Sequence, residues 1–285
     1  MSQKAVDALI ELLDLEPIEV NIFRGVSPQD NRQRTFGGQV AGQALVAVAR
    51  TVEPDRYVHS LHAYFLRPGD PEVPILYEVD RIRDGRSFTT RRVVAIQHGK
   101  AIFNLSASFQ VAEEGLDHGA EMPDVAPPEE LPDFAERMAP YRDRFGDLFD
   151  RPRAFDIRYA DWSPADREGP LPAYQRVWIR VDGALPANPV IHTFVLTYAS
   201  DMTLLDTALL PHGGTPWGTP NLFMASLDHA MWFHRPFRAD DWLLFSHDSP
   251  SASGGRGLTR GLVFDRGGRL VATVMQEGLI RVARR

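Results

Sequence analysis

The sequence predicts an α+β protein built from two tandem units, and three observations support this. A glycine-opened segment at residues 36–52 has the apolar spacing of a helix and precedes four strand-like segments separated by turn sequences. The same order, one helix and then four strands, recurs between residues 188 and 281. An acidic, proline-rich stretch lies between the copies, which is typical of a linker. We therefore expect a first unit over 1–112, a linker over 113–153 and a second unit over 154–285.

Composition narrows the class of protein. The 285 residues are 44% apolar and 24% charged, which is typical of a soluble globular chain long enough for two domains. No stretch approaches the ~18 apolar residues of a membrane helix, and the N-terminus predicts an acidic amphipathic helix rather than a signal peptide. The absence of cysteine excludes disulfides, thiolate metal sites and a cysteine nucleophile. The net charge of −7 argues against nucleic acid or an anionic membrane as the main partner. We expect a cytoplasmic protein.

The first unit begins with the amphipathic helix and a short strand at 18–26. The helix at 36–52 starts with Gly37 and Gly38, and its apolar face predicts packing against a sheet. Strands bounded by Gly, Pro and Asp turn residues are predicted at 57–67, 74–83, 87–98 and 101–111. One helix followed by a run of antiparallel strands is a complete α+β unit.

Residues 112–150 favour a solvated connector with one short helix at about 135–145. The second unit then repeats the first. Its predicted helix covers 188–209, and its predicted strands cover 155–159, 174–181, 222–234, 241–248, 258–264 and 270–281.

Two turn sequences recur at almost the same separation. Arg67-Pro68 returns 168 residues later as Arg235-Pro236, and Gly99-Lys100 returns 169 residues later as Gly268-Arg269. A helix, four strands and two turns in one register are not expected by chance. The sequence therefore predicts a tandem duplication.

Asp201 is the chemically unusual residue of the second unit. In a helix over 188–209 it shares one face with Phe194, Tyr198 and Leu205. A carboxylate left buried and unpaired costs several kcal/mol. Two interpretations are open at this point. Either the helix breaks and Asp201 or Ser200 caps a second segment, or Asp201 is a functional carboxylate.

Superposition of the two predicted units favours the functional interpretation. By helix faces, Asp201 matches Ala47 of the first unit, and by the matched strand turns Gln276 matches Ala107. Polar groups therefore stand in the second copy where the first copy has methyl groups. This asymmetry is what a duplicated protein with one surviving site should have.

Several long strings connect the sequence with a known family. They include FGGQVAGQAL, HSLHAYFLRPGD, LTYASDMTLLDTALLPHG, SLDHAMWFHRPF and VATVMQEGLIR, and the match runs over nearly the whole chain. On these strings the sequence resembles the acyl-CoA thioesterase II (TesB-like) family. The resemblance implies a double hotdog, in which each long antiparallel sheet wraps a central helix. It also implies hydrolysis of acyl-CoA to a free acid and CoA, with no cofactor.

The polar residues of that family fall here on Asp201, Ser226 and Gln276. A thioester carbonyl is electrophilic, so a positioned water can attack it without an acyl-enzyme intermediate. By resemblance, Asp201 takes the proton of the water, while Ser226 and Gln276 fix its orientation. A backbone N–H of Gly37 or Gly38 is the expected donor to the carbonyl oxygen. The alternative for the glycines is tight helix–sheet packing.

The histidines and glycine-rich segments give weaker signals. His62 and His229 stand at matching places of the two halves, which favours a shared structural hydrogen bond over catalysis. His59 and Ser60 are strand neighbours whose side chains face opposite sides. SASGGRG lacks the lysine and the spacing of a phosphate loop. No group of His, Asp and Glu has the spacing of a metal site, so we expect none.

Other functions of the same fold stay open. One is the hydration of enoyl-CoA, although hydratases of this fold pair Asp with His in one short loop, and no such pair adjoins Asp201. Another is binding of acyl-CoA without turnover. In either case the expected partner is acyl-CoA, not nucleic acid or membrane, and we expect a homo-oligomer, either a dimer or a tetramer.

Overall fold

The computed structural model describes residues 2–28, 33–145, 152–163, 167, 169–213 and 221–282. Thirteen strands within these ranges form one antiparallel sheet. In the same ranges no helix is long and apolar enough to cross a bilayer.

The first half contains two helices, α1 (Ser2–Leu13) and α2 (Gly37–Ala49). Its strands are β1 (Glu16–Glu19), β2 (Ile22–Gly25), β3 (Arg56–Phe65), β4 (Ile75–Asp84), β5 (Phe88–Gln97) and β6 (Lys100–Val111). The single strand predicted at 18–26 is therefore wrong: β1 and β2 are a hairpin. Asn21 adopts φ 65° at its turn, a conformation that Asn tolerates better than most residues.

The linker contains short 3₁₀ helices at Pro128–Glu130 and Ala139–Tyr141, with α3 (Phe134–Met138) and α4 (Arg142–Phe145). The one helix predicted at 135–145 is thus two, divided where Pro140 removes a backbone donor. Residues 146–151 of the predicted linker lie outside the described residues, and the unit boundaries stay a proposal.

The second half contains α5 (Pro189–Ala199) and a 3₁₀ helix, Leu205–His212. Its strands are β7 (Phe155–Tyr159), β8 (Tyr174–Val181), β9 (Leu222–Ser226), β10 (Asp228–Phe233), β11 (Leu243–Ser253), β12 (Arg256–Asp265) and β13 (Leu270–Val282). The strand predicted at 222–234 is interrupted at Leu227. Its N–H donates to Glu277 and its carbonyl accepts from Phe65, so the chain passes from one set of partners to another.

The sheet has the internal symmetry of a duplication. Its order is β1-β2-β4-β5-β6-β3-β10-β13-β12-β11-β8-β7, with β9 added beside β13. The halves meet where β3 pairs antiparallel with β10, and on each side the next neighbour is the last strand of that half. The matched turns repeat in atomic detail. Arg67 Nη1 donates to the Ala101 carbonyl at 2.5 Å and Arg235 Nη1 to the Leu270 carbonyl at 2.6 Å.

The helices α2 and α5 pack against each other inside the sheet. Nearly all of α2 is buried. A Cβ atom on Gly38 would lie 2.3 Å from the carbonyl oxygen of Tyr198, and one on Gly42 would lie 3.5 Å from that of Phe194. At Gly38 only glycine allows the backbones to approach so closely. A later residue of α2 thus contacts an earlier residue of α5. The helices are therefore antiparallel, and the start of α2 meets the end of α5.

Residues 112–121 of the linker are exposed, as a solvated connector would be, but the part from Met122 to Leu131 packs on the sheet. Trp178, Trp242, Leu244 and Phe264 form a second apolar cluster, and Met122, Val125 and Leu131 of the linker pack against it. The neighbours of Trp178 in β8 belong to the main core, so this cluster covers the other face of the sheet. The indole Nε1 of Trp178 donates to the Ala126 carbonyl at 3.0 Å. Burial of the two tryptophans explains why an acidic, proline-rich segment is held on the surface.

Candidate active site

The helix that carries the candidate carboxylate is shorter than predicted. α5 ends at Ala199, with Ser200 as its C-cap, so the helix predicted over 188–209 is wrong. The Ser200 hydroxyl lies 2.9 Å from the Thr197 carbonyl and 2.8 Å from His229 Nε2. Asp201 follows in the turn. The next helix has Leu204 as its N-cap and no side-chain cap, so neither Ser200 nor Asp201 caps it.

Three polar side chains meet just beyond the end of α5. Gln276 Nε2 donates to Asp201 Oδ1 at 2.6 Å and to the Ser226 hydroxyl oxygen at 2.7 Å. The Ser226 hydroxyl donates to the same carboxylate oxygen at 3.2 Å. The three residues that the family resemblance selected are therefore in mutual contact, although 75 residues separate Asp201 from Gln276.

The strand register explains how these side chains come together. β13 lies between β12 and β9, and Gln276 opposes Thr259 while its near neighbour Gly278 opposes Ser226. Gln276 and Gly278 share one side of the strand because side chains alternate. Gln276 is 0% exposed, and its Oε1 has no hydrogen-bond partner among the described residues. The site thus contains a buried acceptor that a bound donor can use.

The first half contributes the start of its helix to this place. A Cβ atom on Gly37 would lie 2.6 Å from Asp201 Oδ2 and 3.0 Å from the Phe65 ring. The backbone N–H of Gly38 also stabilises the charged carboxylate, and a helix N-terminus favours negative charge. The two glycines differ in what they touch. Gly38 allows the close approach to Tyr198, whereas Gly37 faces the carboxylate.

Burial decides the electrostatics of Asp201. Removal of the carboxyl from water raises its pKa above the ordinary value of 3.8. Donors from Gln276, Ser226 and the Gly38 backbone lower it, in that order, but do not cancel the effect of burial. A carboxylate with raised proton affinity is suited to accept a proton.

In the first half, a buried arginine lies against the residue that corresponds to Asp201. α2 ends at Ala49, so Thr51 stands where Asp201 stands after α5, and the match of Asp201 with Ala47 is wrong by about one helical turn. Arg91, 1% exposed, donates from Nε to the Thr51 hydroxyl and from Nη2 to the Thr51 carbonyl, both at 3.0 Å. Arg91 opposes Ala107 as Thr259 opposes Gln276, so the predicted match of Ala107 with Gln276 holds in the register.

The histidines do not form a repeated pair. His229 is 1% exposed and faces inward, where burial lowers its pKa to about 4. His62 is exposed on the other face, with its ring edge-on to Trp232. The predicted shared hydrogen bond is therefore wrong. His59 Nε2 lies 2.8 Å from the Ser108 hydroxyl on the neighbouring strand, in keeping with its separation from Ser60.

A buried ion pair that the sequence analysis missed holds the segment after Asp201. Arg167 donates to both carboxylate oxygens of Asp206, at 2.8 and 2.6 Å, and the two side chains are 1% and 12% exposed. Asp206 belongs to the 3₁₀ helix that begins four residues after Asp201. An acid near an apolar run was visible in the sequence, but its partner lies 39 residues away.

Comparisons with known proteins agree on one family. Residues 152–279 match a family model described as acyl-CoA thioesterase, and residues 27–110 match one described as acyl-CoA thioesterase N-terminal domain. The chain is 44% identical to acyl-coenzyme A thioesterase 8 of Homo sapiens, with 95% of this chain and 88% of that protein covered.

Solved structures extend the likeness to the fold. The acyl-CoA thioesterase II TesB2 of Mycobacterium marinum is 49% identical, has a TM-score of 0.80, and covers 96% of this chain and 98% of its own. A hot dog fold protein of Alicyclobacillus acidocaldarius is 21% identical with a TM-score of 0.77, over 97% of this chain and 99% of its own, and bears on the fold alone. The predicted double hotdog and the predicted family are both confirmed: the chain belongs to the acyl-CoA thioesterase family.

Proposed function

We propose that this protein hydrolyses acyl-CoA to a carboxylic acid and CoA by direct attack of water, with Asp201 as general base. The observation that carries the proposal is the contact of Asp201 with Ser226 and Gln276 beside the start of α2. That arrangement combines a proton acceptor, two groups that orient it, and backbone donors at one place.

The steps balance without a cofactor. Asp201 takes one proton from water while the water oxygen bonds to the thioester carbon, and the carbonyl oxygen becomes an oxyanion. The oxyanion re-forms the carbonyl as the C–S bond breaks, and the proton on Asp201 passes to the departing CoA sulfur. The products are the acid and CoA, and the carboxylate is restored. A general base of this kind contributes ~10²–10⁴-fold.

Ser226 and Gln276 act on the carboxylate and on the water. Both donate to Asp201 Oδ1, so we assign Oδ2, on the Gly37 side, as the oxygen that takes the proton of the water. Gln276 Oε1 has no partner in the described residues and can accept the second hydrogen of the water. Held by two acceptors, the water presents a lone pair to the carbonyl carbon.

The oxyanion takes a backbone donor from the start of α2. Gly38 already stabilises the Asp201 carboxylate, so we assign the donor to the carbonyl oxygen to Gly37. The position requires glycine, since a Cβ atom there would collide with Asp201 and Phe65. Removal of one such donor typically costs ~10²–10³-fold in kcat.

Release of thiol from acyl-CoA tests the proposal and separates it from the alternatives. Wild type should release CoA thiol, and Asp201→Asn should release it at a rate lower by about 10²-fold or more. A protein that binds acyl-CoA and releases no thiol would be a non-catalytic binder. Hydration of enoyl-CoA is disfavoured because the buried His229 bonds to Ser200 and not to Asp201.

A further inference from the structure

Two glycines face each other on the inner side of the sheet beside the candidate site. Gly257 of β12 and Gly278 of β13 are register partners, and Gly278 is also the partner of Ser226 on β9. Gln276 lies two residues before Gly278 and therefore shares its side of the strand. We call Gly257 and Gly278 the glycine notch, and it adjoins two of the three polar residues of the site.

Side chains of the 3₁₀ helix fill the glycine notch. A Cβ atom on Gly278 would lie 2.3 Å from a Cδ atom of Leu205, and one on Gly257 would lie 2.7 Å from the Cβ of Ala208. Ile280 Cδ1 would come within 2.8 Å of the same point at Gly257. Carbon atoms pack at about 3.5–4.0 Å, so Leu205 occupies the space that a side chain at 278 would need.

The unpartnered oxygen of Gln276 marks the adjoining space as a place for ligand. Its Nε2 is used by Asp201 and Ser226, while the fully buried Oε1 has no donor in the described part of the chain. A buried acceptor left unsatisfied costs ~1–3 kcal/mol, which a bound donor relieves. The reacting end of the ligand therefore belongs at Gln276, and the apolar surface next to it is Leu205.

We propose that Leu205 determines specificity: its side chain is the wall that meets the acyl chain and limits its length. This rests on the proposed hydrolysis of acyl-CoA, which fixes the thioester carbonyl at Asp201. An acyl chain has to leave the carbonyl along apolar surface, and Leu205, Ala208 and Ile280 supply it. Truncation of Leu205 opens the glycine notch, because Gly278 has no side chain with which to refill it.

The test compares wild type with Leu205→Ala on straight-chain acyl-CoAs from butyryl to stearoyl. The ratio of kcat/KM for long chains to that for short chains should rise by about tenfold or more in the variant, since one methylene group in an apolar pocket discriminates ~10–200-fold. Circular dichroism and Tm establish that the variant is folded. If Leu205→Ala does not fold, Leu205→Val gives the same comparison with a smaller expected shift.

Leu204→Ala is the matched control. Leu204 is 0% exposed and its Cδ1 approaches Gly261, 3.5 Å from where a Cβ would stand, rather than the glycine notch. Leu204→Ala should lower Tm, but its kcat/KM should depend on acyl chain length as that of wild type does. If the kcat/KM of Leu205→Ala also depends on chain length as in wild type, the proposal is overturned.

Binding measurements keep this inference separate from the proposed function. Dissociation constants of the same acyl-CoAs are measured by calorimetry for Asp201→Asn with and without Leu205→Ala. If Leu205→Ala tightens the binding of long chains by about tenfold relative to short ones, the proposed role of Leu205 is supported. If wild type hydrolyses no acyl-CoA, the proposed function fails; if wild type is active but neither kcat/KM nor binding shifts with Leu205→Ala, only the role of Leu205 fails.

Discussion

Replacement of Asp201 by asparagine should separate activity from stability. The amide oxygen of the introduced side chain can still accept from Gln276 and Ser226, which lie 2.6 and 3.2 Å from Asp201 Oδ1, so the fold and acyl-CoA binding should persist. The variant cannot take a proton from water. We expect kcat to fall by ~10²–10⁴-fold, which corresponds to about 3–5 kcal/mol of transition-state stabilisation.

The same substitution should change how stability depends on pH. The folded-state pKa of Asp201 is raised by burial, so its ionisation opposes folding. A carboxyl whose folded pKa lies above its unfolded value loses stability as pH rises and it ionises. That loss begins near the ordinary pKa of 3.8 and is complete above the folded pKa. Relative to wild type, Asp201→Asn should therefore gain unfolding free energy as pH rises through this window.

Activity is measured as thiol release and stability as urea unfolding, both over a range of pH. Wild-type kcat/KM should rise with pH as Asp201 loses its proton, with an inflection above 3.8, and the variant should lack that inflection. Ser226→Ala serves as a control because it removes one donor and leaves the carboxylate. Near-wild-type turnover by Asp201→Asn, or a stability difference that does not change with pH, would refute the assignment of Asp201 as a buried base.

Three further outcomes follow from the same geometry. Gly37→Ala should lower kcat toward the ~10²–10⁴-fold loss expected when a general base is lost, because its methyl group would meet Asp201 Oδ2 at 2.6 Å and displace the carboxylate; kcat within a factor of about two of wild type would show that the position tolerates a side chain. Rapid-quench mass spectrometry during turnover should find unmodified protein, since Ser226 hydrogen-bonds to Asp201 and Gln276 and to no histidine in the described residues; an acyl adduct on Ser226 would contradict direct attack by water. Arg91→Ala should lower the unfolding free energy by about 1–3 kcal/mol, because it leaves the buried polar atoms of Thr51 at the end of α2 without their partner, while chain-length preference stays unchanged; a variant as stable as wild type in urea would contradict that structural role.

The sequence predicted the architecture well because the relevant patterns are local. Alternation of apolar residues placed most strands, and turn sequences such as Arg67-Pro68 and Gly268-Arg269 revealed the duplication. The end of α5 was not predictable in this way. Phe194, Tyr198 and Leu205 continue the helical spacing past Ala199, and the chain turns where Ser200 bonds to His229, a residue 29 positions away.

Long-range partners also account for what the sequence analysis missed outside the candidate site. Arg91 stands beside Arg92 in a strand, and two adjacent arginines indicate a solvated surface, yet alternation buries one of them against Thr51, 40 residues away. In the linker, Met122 and Val125 lie in acidic, proline-rich sequence, and the tryptophans that bury them belong to the second half. Oligomeric state and cytoplasmic location stay predictions.

The antiparallel helices α2 and α5 meet at both ends, where the start of each lies at the end of the other. The residues at these two ends differ in a way that supports one site per chain. At the start of α2, the backbone N–H of Gly38 stabilises the Asp201 carboxylate at the end of α5, and Gly37 faces the same carboxylate. At the start of α5, Pro189 has no N–H, and the Asn188 side chain already accepts from the N–H of Val190 at 3.1 Å. The end of α2 carries a threonine bonded to a buried arginine instead of a carboxylate. Among the described residues, the place where the start of α5 meets the end of α2 thus lacks both the base and the free donors. Duplication multiplied the fold, while each half came to supply a different part of a single proposed site.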